Sequence, residues 1–158
     1  MTIRFNLRPA LFKAFLIASV LSAATPDTGV DVWKGADLRV REAGLRKTMD
    51  AFHSSNITLG EKGSQTYLLA HREGNGQAEL HEHQADIVVI TGGEVRLIYG
   101  GAIVNGKTTA EGEIRGDSIS GGQPVDLRAG DIFHIAPKVP HQMLVKSQVN
   151  YFVAKVRE

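Results

Sequence analysis

The chain has 158 residues, 42% of them hydrophobic and 22% charged, enough to bury one sizeable core within a single domain. It contains no cysteine, which excludes disulfides, thiolate metal sites and a cysteine nucleophile. The formal net charge is +1, and the absence of a basic run or an aromatic-interleaved basic patch argues against nucleic acid as a partner.

Taken in order, Arg4, Arg8 and Lys13 precede an apolar run from Ala14 to Ala24. A run of about 11 residues is too short to cross a ~30 Å bilayer as a helix. Ser22-Ala23-Ala24 places small residues where a signal peptidase reads. The expectation is a signal peptide over residues 1–24 and export to the periplasm or the medium, with no stable membrane anchor after processing. No twin-arginine pair is present, which favours the general secretory route. Cleavage would remove three of the 18 cations, leaving 15 against 17 anions, a net charge of about −2.

Residues 25–63 read as a linker and a helix. Asp37 to Met49 carries Leu38, Val40, Ala43, Leu45 and Met49 among charged residues without proline, a helical pattern weakened by Gly44. Arg39, Arg41, Arg46 and Lys47 form its solvated face, and His53 reads as a surface residue. From Ser64 the period changes. Gln65–His71 predicts a strand closed by Gly74-Asn75-Gly76, with His71 a surface turn residue. Glu79–His83 and Ile87–Thr91 predict two more, and Gly92-Gly93 turns the chain into Glu94–Tyr99. Residues 102–124 are rich in glycine and polar residues and predict one or two short hairpins, which either shape a barrel mouth or extend a sheet. Ile132–Ala136, Gln142–Val145 and Val149–Val156 complete the strands. At least seven short strands with glycine turns and one helix give an all-β sandwich or barrel.

Two stretches carry chemistry. In Glu79-Leu-His81-Glu-His83-Gln-Ala-Asp86, strand alternation puts His81 and His83 on one face, roughly 6–7 Å apart along the strand. In Gly130-Asp131-Ile-Phe-His-Ile-Ala-Pro137-Lys-Val-Pro140-His141, a strand ends in a proline-bounded turn and His141 opens the next strand. Together they resemble the paired motifs of the cupin superfamily. Its first motif runs H-x-H, three or four residues, E, six residues, G; its second runs G-D, a short strand, P-x-G, then P-H. Here the matching residues are His81, His83, Asp86 and Gly93, then Gly130, Asp131, Pro140 and His141, across roughly residues 64–156. The chain departs at three points. Two residues instead of three or four precede the acid, which is Asp86 and not Glu. Lys138 stands where the turn glycine is usual, and Gln142 follows the last histidine in place of a nearby Asn.

The resemblance implies a single jelly-roll barrel over residues 64–158 with a short N-terminal helix, holding one divalent transition metal on His81, His83, Asp86 and His141. An N3O donor set suits Mn, Fe, Co, Ni, Cu or Zn over Mg or Ca, and leaves two open positions on an octahedral ion. Asp86 is either a ligand or a carboxylate that orients a ligand histidine. Glu79 shares the face of His81 and is either a base inside the barrel or a rim salt bridge. Tyr99 and Met143 are expected in the core, His134 facing outward, and Lys138 at positive φ. Three functions fit: an exported metalloenzyme acting on a small oxygen-bearing molecule by dioxygenase, isomerase or lyase chemistry; a non-catalytic metal- or small-molecule-binding barrel; and a scaffold with an empty barrel. Relatives of this kind often pair as homodimers through sheet edges, so a dimer is expected.

Overall fold

The computed structural model describes residues 29–158; the signal peptide expected over residues 1–24 lies outside the described residues. Within the compact unit Trp33–Glu158, one helix, α1 (Gly35–Leu45), precedes twelve strands: β1 (Ser54–Lys62), β2 (Gln65–Arg72), β3 (Ala78–His81), β4 (Gln84–Tyr99), β5 (Ala102–Val104), β6 (Lys107–Ala110), β7 (Glu113–Gly116), β8 (Ser118–Ser120), β9 (Gln123–Arg128), β10 (Ile132–Ile135), β11 (His141–Leu144) and β12 (Val149–Arg157). Ten pair antiparallel in the order β1-β2-β12-β4-β11-β3-β7-β6, with β10 and β9 also on β4, while β5 and β8 form a separate pair. The sheet curls into a jelly-roll half-barrel, as expected.

The long strand β4 organises this arrangement. Its first half lies between β12 and β10, and its second half between β11 and β9. The two strands expected over 87–91 and 94–99 are therefore one, bent at Gly92-Gly93 where the β12 register also shifts. Gly93 has φ 77°, and a Cβ there would sit 2.2 Å from the Gln148 carbonyl oxygen, so only glycine lets the two strands pass this closely.

Strand alternation sorts the side chains into two faces. Leu68, Ala70 and Arg72 of β2, Asp86 and Val88 of β4, and Tyr151, Val153 and Lys155 of β12 point into the barrel. Ala70, Val88, Ile90, Val95, Val145, Val149, Tyr151 and Val153 form its apolar core. On the outer face of β2, Leu69 and His71 are fully buried. His71, expected at a surface turn, is held by Asn150 Oδ1 at 2.6 Å and Glu73 Oε1 at 3.0 Å. It is buried because β2 continues through Arg72 between β1 and β12.

Several boundaries differ from expectation. The helix stops at Leu45, four residues before Met49, because the Lys47 and Thr48 amides turn back onto the Gly44 and Leu45 carbonyls. Strand β1 occupies a stretch read as part of the linker and helix; its Ser-Ser-Asn-Ile-Thr-Leu run has too weak an alternation to announce a strand. Residues 102–124 hold four short strands, with the β6–β7 hairpin set between β5 and β8. Tyr99, expected in the core, is 42% exposed: it shares the face of the buried Val95 and Leu97 but is the last residue of β4, where that face runs out. Met143 packs against the core, His134 is exposed, and Lys138 has φ 65°, all as expected.

Candidate functional site

The barrel interior opens on a cavity of about 270 Å³ whose polar wall comes from β3, β4, β7, β11 and β12. Cross-strand register sets four of the charged pairs in that wall. Glu79 of β3 lies opposite His141 of β11 on one side and Arg115 of β7 on the other. His81 lies opposite Glu113, and Asp86 opposite Lys155. The excursion over residues 102–124 thus supplies two members of the site, Glu113 and Arg115.

Glu79, His81 and His141 offer one ligand atom each within 4.8 Å of one another. The Glu79 carboxylate is 3.7 Å from His81 Nε2 and 4.0 Å from His141 Nε2. Both imidazoles are oriented from behind. His81 Nδ1 lies 2.7 and 2.9 Å from the two Glu113 oxygens, and His141 Nδ1 is 3.0 Å from the Val139 carbonyl. The Nδ1 atoms must donate to these acceptors, so each Nε2 presents a lone pair inward. This is how ligand histidines are held in metal sites. The Lys138 amide further ties the turn to this strand by donating to the His81 carbonyl at 2.7 Å.

Two cations crowd the same group. Arg115 forms an ion pair with Glu79 and reaches Glu113 at 3.2 Å. Lys155 Nζ donates to Asp86 at 2.8 and 3.0 Å and to His81 Nε2 at 3.2 Å. An ammonium can only donate, so in this contact His81 Nε2 is the acceptor, in keeping with Nδ1 donating to Glu113. Burial raises the Asp86 carboxyl, but His81 beside it and the charge and hydrogen bonds of Lys155 outweigh it and hold it at about 2. Burial likewise opposes ionisation of Glu79, and Arg115, His141, His81 and Lys155 together bring it below the ordinary carboxylate range. Burial dominates at His141 and pushes its imidazole down, overriding the Glu79 charge. At neutral pH the site therefore presents two carboxylates and a neutral His141, the protonation states that metal binding requires.

The fit to a divalent transition ion is good in donor chemistry: two inward, buried imidazole nitrogens and one half-buried carboxylate oxygen. Lys155 competes for the His81 lone pair, so ion and ammonium cannot both hold it. Of the residues expected to bind metal, His81 and His141 converge and Asp86 flanks them, its carboxylate 3.4 Å from His81 Nε2. Glu79, expected as a base or a rim salt bridge, joins the convergent group while also pairing with Arg115. His83 is not brought to them. Strand β3 ends at His81, the chain bends through Glu82 and His83, and the His83 side chain is 62% exposed. Alternation, which would have put it beside His81, holds only within a strand.

A signal for this arrangement was present. Shifted back by two residues, the cupin-like pattern becomes Glu79-x-His81, four residues, Asp86, six residues, Gly93. That restores the usual spacing, with Glu79 in the place of the first histidine. Nothing in the sequence marked Glu113, Arg115 or Lys155, because they enter through the pairing of distant strands.

No protein-family model and no curated protein matches the chain. Solved structures do, at low identity. An RmlC-like cupin from Shewanella frigidimarina aligns at TM-score 0.50 and 17% identity, over 70% of this chain and 82% of that one. Protein NMB1881 from Neisseria meningitidis aligns at 0.51 and 10% identity, over 76% and 96%. An oxalate oxidase aligns at 0.50 and 14% identity, over 70% of this chain but only 54% of its own length. The chain has the cupin fold.

Proposed function

We propose that this cupin-fold chain binds one divalent transition metal on Glu79, His81 and His141 and acts on a small oxygen-bearing organic molecule. The observation that carries the reading is the inward aim of both Nε2 atoms beside Glu79, at the wall of a cavity of about 270 Å³. A triad of two imidazoles and one carboxylate leaves coordination positions for a ligand and suits oxygen-dependent chemistry on iron, among other ions. A bound ion would act as a Lewis acid towards an oxygen ligand. The chain's own residues would do the rest. Glu113 fixes the tautomer of His81, and the Val139 carbonyl fixes that of His141. Arg115 steadies Glu79, and the apolar walls from Leu68, Val88 and Val153 exclude water. The oxalate oxidase with the same fold supports an enzyme by analogy of fold alone. The second reading is a non-catalytic barrel, supported by the ion pairs of Glu79 and Asp86, which satisfy both carboxylates without an ion.

Elemental analysis of the untagged protein, residues 25–158, distinguishes the two. One equivalent of Mn, Fe, Co, Ni, Cu or Zn, lost in His141→Ala, supports the metal site. No metal after supplementation would favour the non-catalytic barrel. Export is proposed with the same function, and an N-terminus at Thr25 by mass spectrometry of the secreted material would support it. A homodimer is also proposed, and a monomer mass by light scattering at micromolar concentration would remove it.

A further inference from the structure

We propose that the molecule this cavity accepts carries a carboxylate, and that Arg72 binds it. The proposal rests on the small-molecule reading above but not on the metal. The other charged residues of the site wall have partners: Asp86 lies opposite Lys155, Glu79 and Glu113 lie opposite Arg115 and His81, and Asp50 accepts from the Phe52 and Ser54 amides. Arg72 lies opposite Ser54 on β1 and Val149 on β12, neither of which carries charge. Among the described residues no carboxylate pairs with it, and its Nε and Nη1 are shielded from solvent without a hydrogen-bond partner. A guanidinium cation left in this state costs free energy until an anion meets it, and its planar fork matches a carboxylate.

Its surroundings prepare it for that role. Alternation along β2 places Arg72 on the same inward face as Leu68 and Ala70, so it lines the cavity. Its guanidinium passes close over Gly76, where a Cβ would lie 3.4 Å from both Cζ and Nη1; the missing side chain leaves it room. The neighbouring polar group is the Tyr151 hydroxyl, which Arg72 influences by charge and hydrogen bonding. Burial keeps that phenol protonated well past neutrality, despite the opposing pull of Arg72, so it cannot serve as the missing anion. Glu79 and Asp86 act on the same phenol. Tyr151, Arg72, Glu79 and His141 line one cavity. A ligand with its carboxylate on Arg72 can direct its other end towards Glu79 and His141, which line the same cavity.

The test uses the whole mature chain freed of metal by a chelator, titrated calorimetrically with propionate and benzoate and with their neutral amides, propionamide and benzamide. Expected is at least tenfold tighter binding of one carboxylate than of its amide. Arg72→Gln should remove that preference, and Arg72→Lys should retain part of it. Equal binding of acid and amide, or no binding of either acid, overturns the proposal, as does an Arg72→Gln protein that keeps the preference. If Arg72→Gln fails to fold, the comparison of acid with amide on the unaltered protein still decides. Because no metal is present, a failed metal site leaves this result unaffected, and a failed Arg72 leaves the metal content unaffected.

Discussion

Lys155→Met gives the sharpest test of how the site is held. The substitution keeps an unbranched apolar stem but removes the ammonium that binds Asp86 at 2.8 and 3.0 Å and His81 at 3.2 Å. Asp86 is 7% exposed, and its carboxyl stands at about 2 against an ordinary 3.8. At about 1.4 kcal/mol per pKa unit, that gap is about 2.5 kcal/mol of stability at neutral pH. Burial opposes it, and Lys155 supplies two of the favourable causes, its charge and its hydrogen bonds. Breaking one side of a buried ion pair costs about 3–5 kcal/mol in general. Lys155 is 21% exposed, so the lower end applies, and the expected loss is about 2–3 kcal/mol. The pH dependence has a definite sign. A depressed carboxylate contributes stability above its unfolded pKa of 3.8 and loses it as pH falls towards about 2. Urea denaturation of metal-free protein should show this acid limb between pH 4 and pH 2, and Lys155→Met should flatten it while lowering stability at pH 7. A variant that loses less than about 0.5 kcal/mol and keeps the same acid limb would refute the reasoning.

Three further outcomes follow from the same geometry. Lys155→Met should bind Zn²⁺ at least about tenfold more tightly in competition with a chromogenic chelator, because the ammonium no longer holds the His81 lone pair; equal or weaker affinity counts against competition. His83→Ala should keep the metal content of the unaltered protein by elemental analysis, since its side chain is 62% exposed, while His81→Ala should lose it; the reverse result would move the site to the exposed histidine. Gly93→Ala should cost more than about 2 kcal/mol in thermal or urea unfolding, combining positive φ with a Cβ 2.2 Å from a carbonyl oxygen; a neutral effect would mean that β4 and β12 separate there without cost.

The strands and the barrel were legible because short runs rich in apolar and β-branched residues are set off by turn residues. Gln65–Arg72 and Val149–Arg157 carry apolar residues on both faces, and glycines punctuate the turns. Strand β1 was illegible for the opposite reason, as its polar run has no strong period. His141 could be placed because the strand it opens is bounded by Pro140. His83 could not, because its position depends on whether β3 continues past His81, and no local residue decides that. Arg72, Glu113, Arg115 and Lys155 have functional positions only through their partners in the ladder. A single sequence shows which residues share a strand face, but not which strand lies alongside.

That dependence on pairing also bears on the charge of the site. Glu79 in place of a histidine adds a negative charge to a group that already holds Asp86 and Glu113. Around His81 and His141 themselves, three carboxylates face two cations, Arg115 and Lys155, one negative charge in excess, with Arg72 elsewhere on the cavity wall. A divalent ion added to all of these would leave a net positive charge; one that displaced Lys155 from the group would leave it neutral. The site therefore favours exchange of the lysine for the metal over addition of the metal. Lys155 can swing outward because it is long, flexible and already partly exposed, whereas Arg115 is held between Glu79 and Glu113. Of the two cations, Lys155 is the one that binding should move, which is why its replacement is expected to weaken the metal-free fold and strengthen the metal complex at the same time.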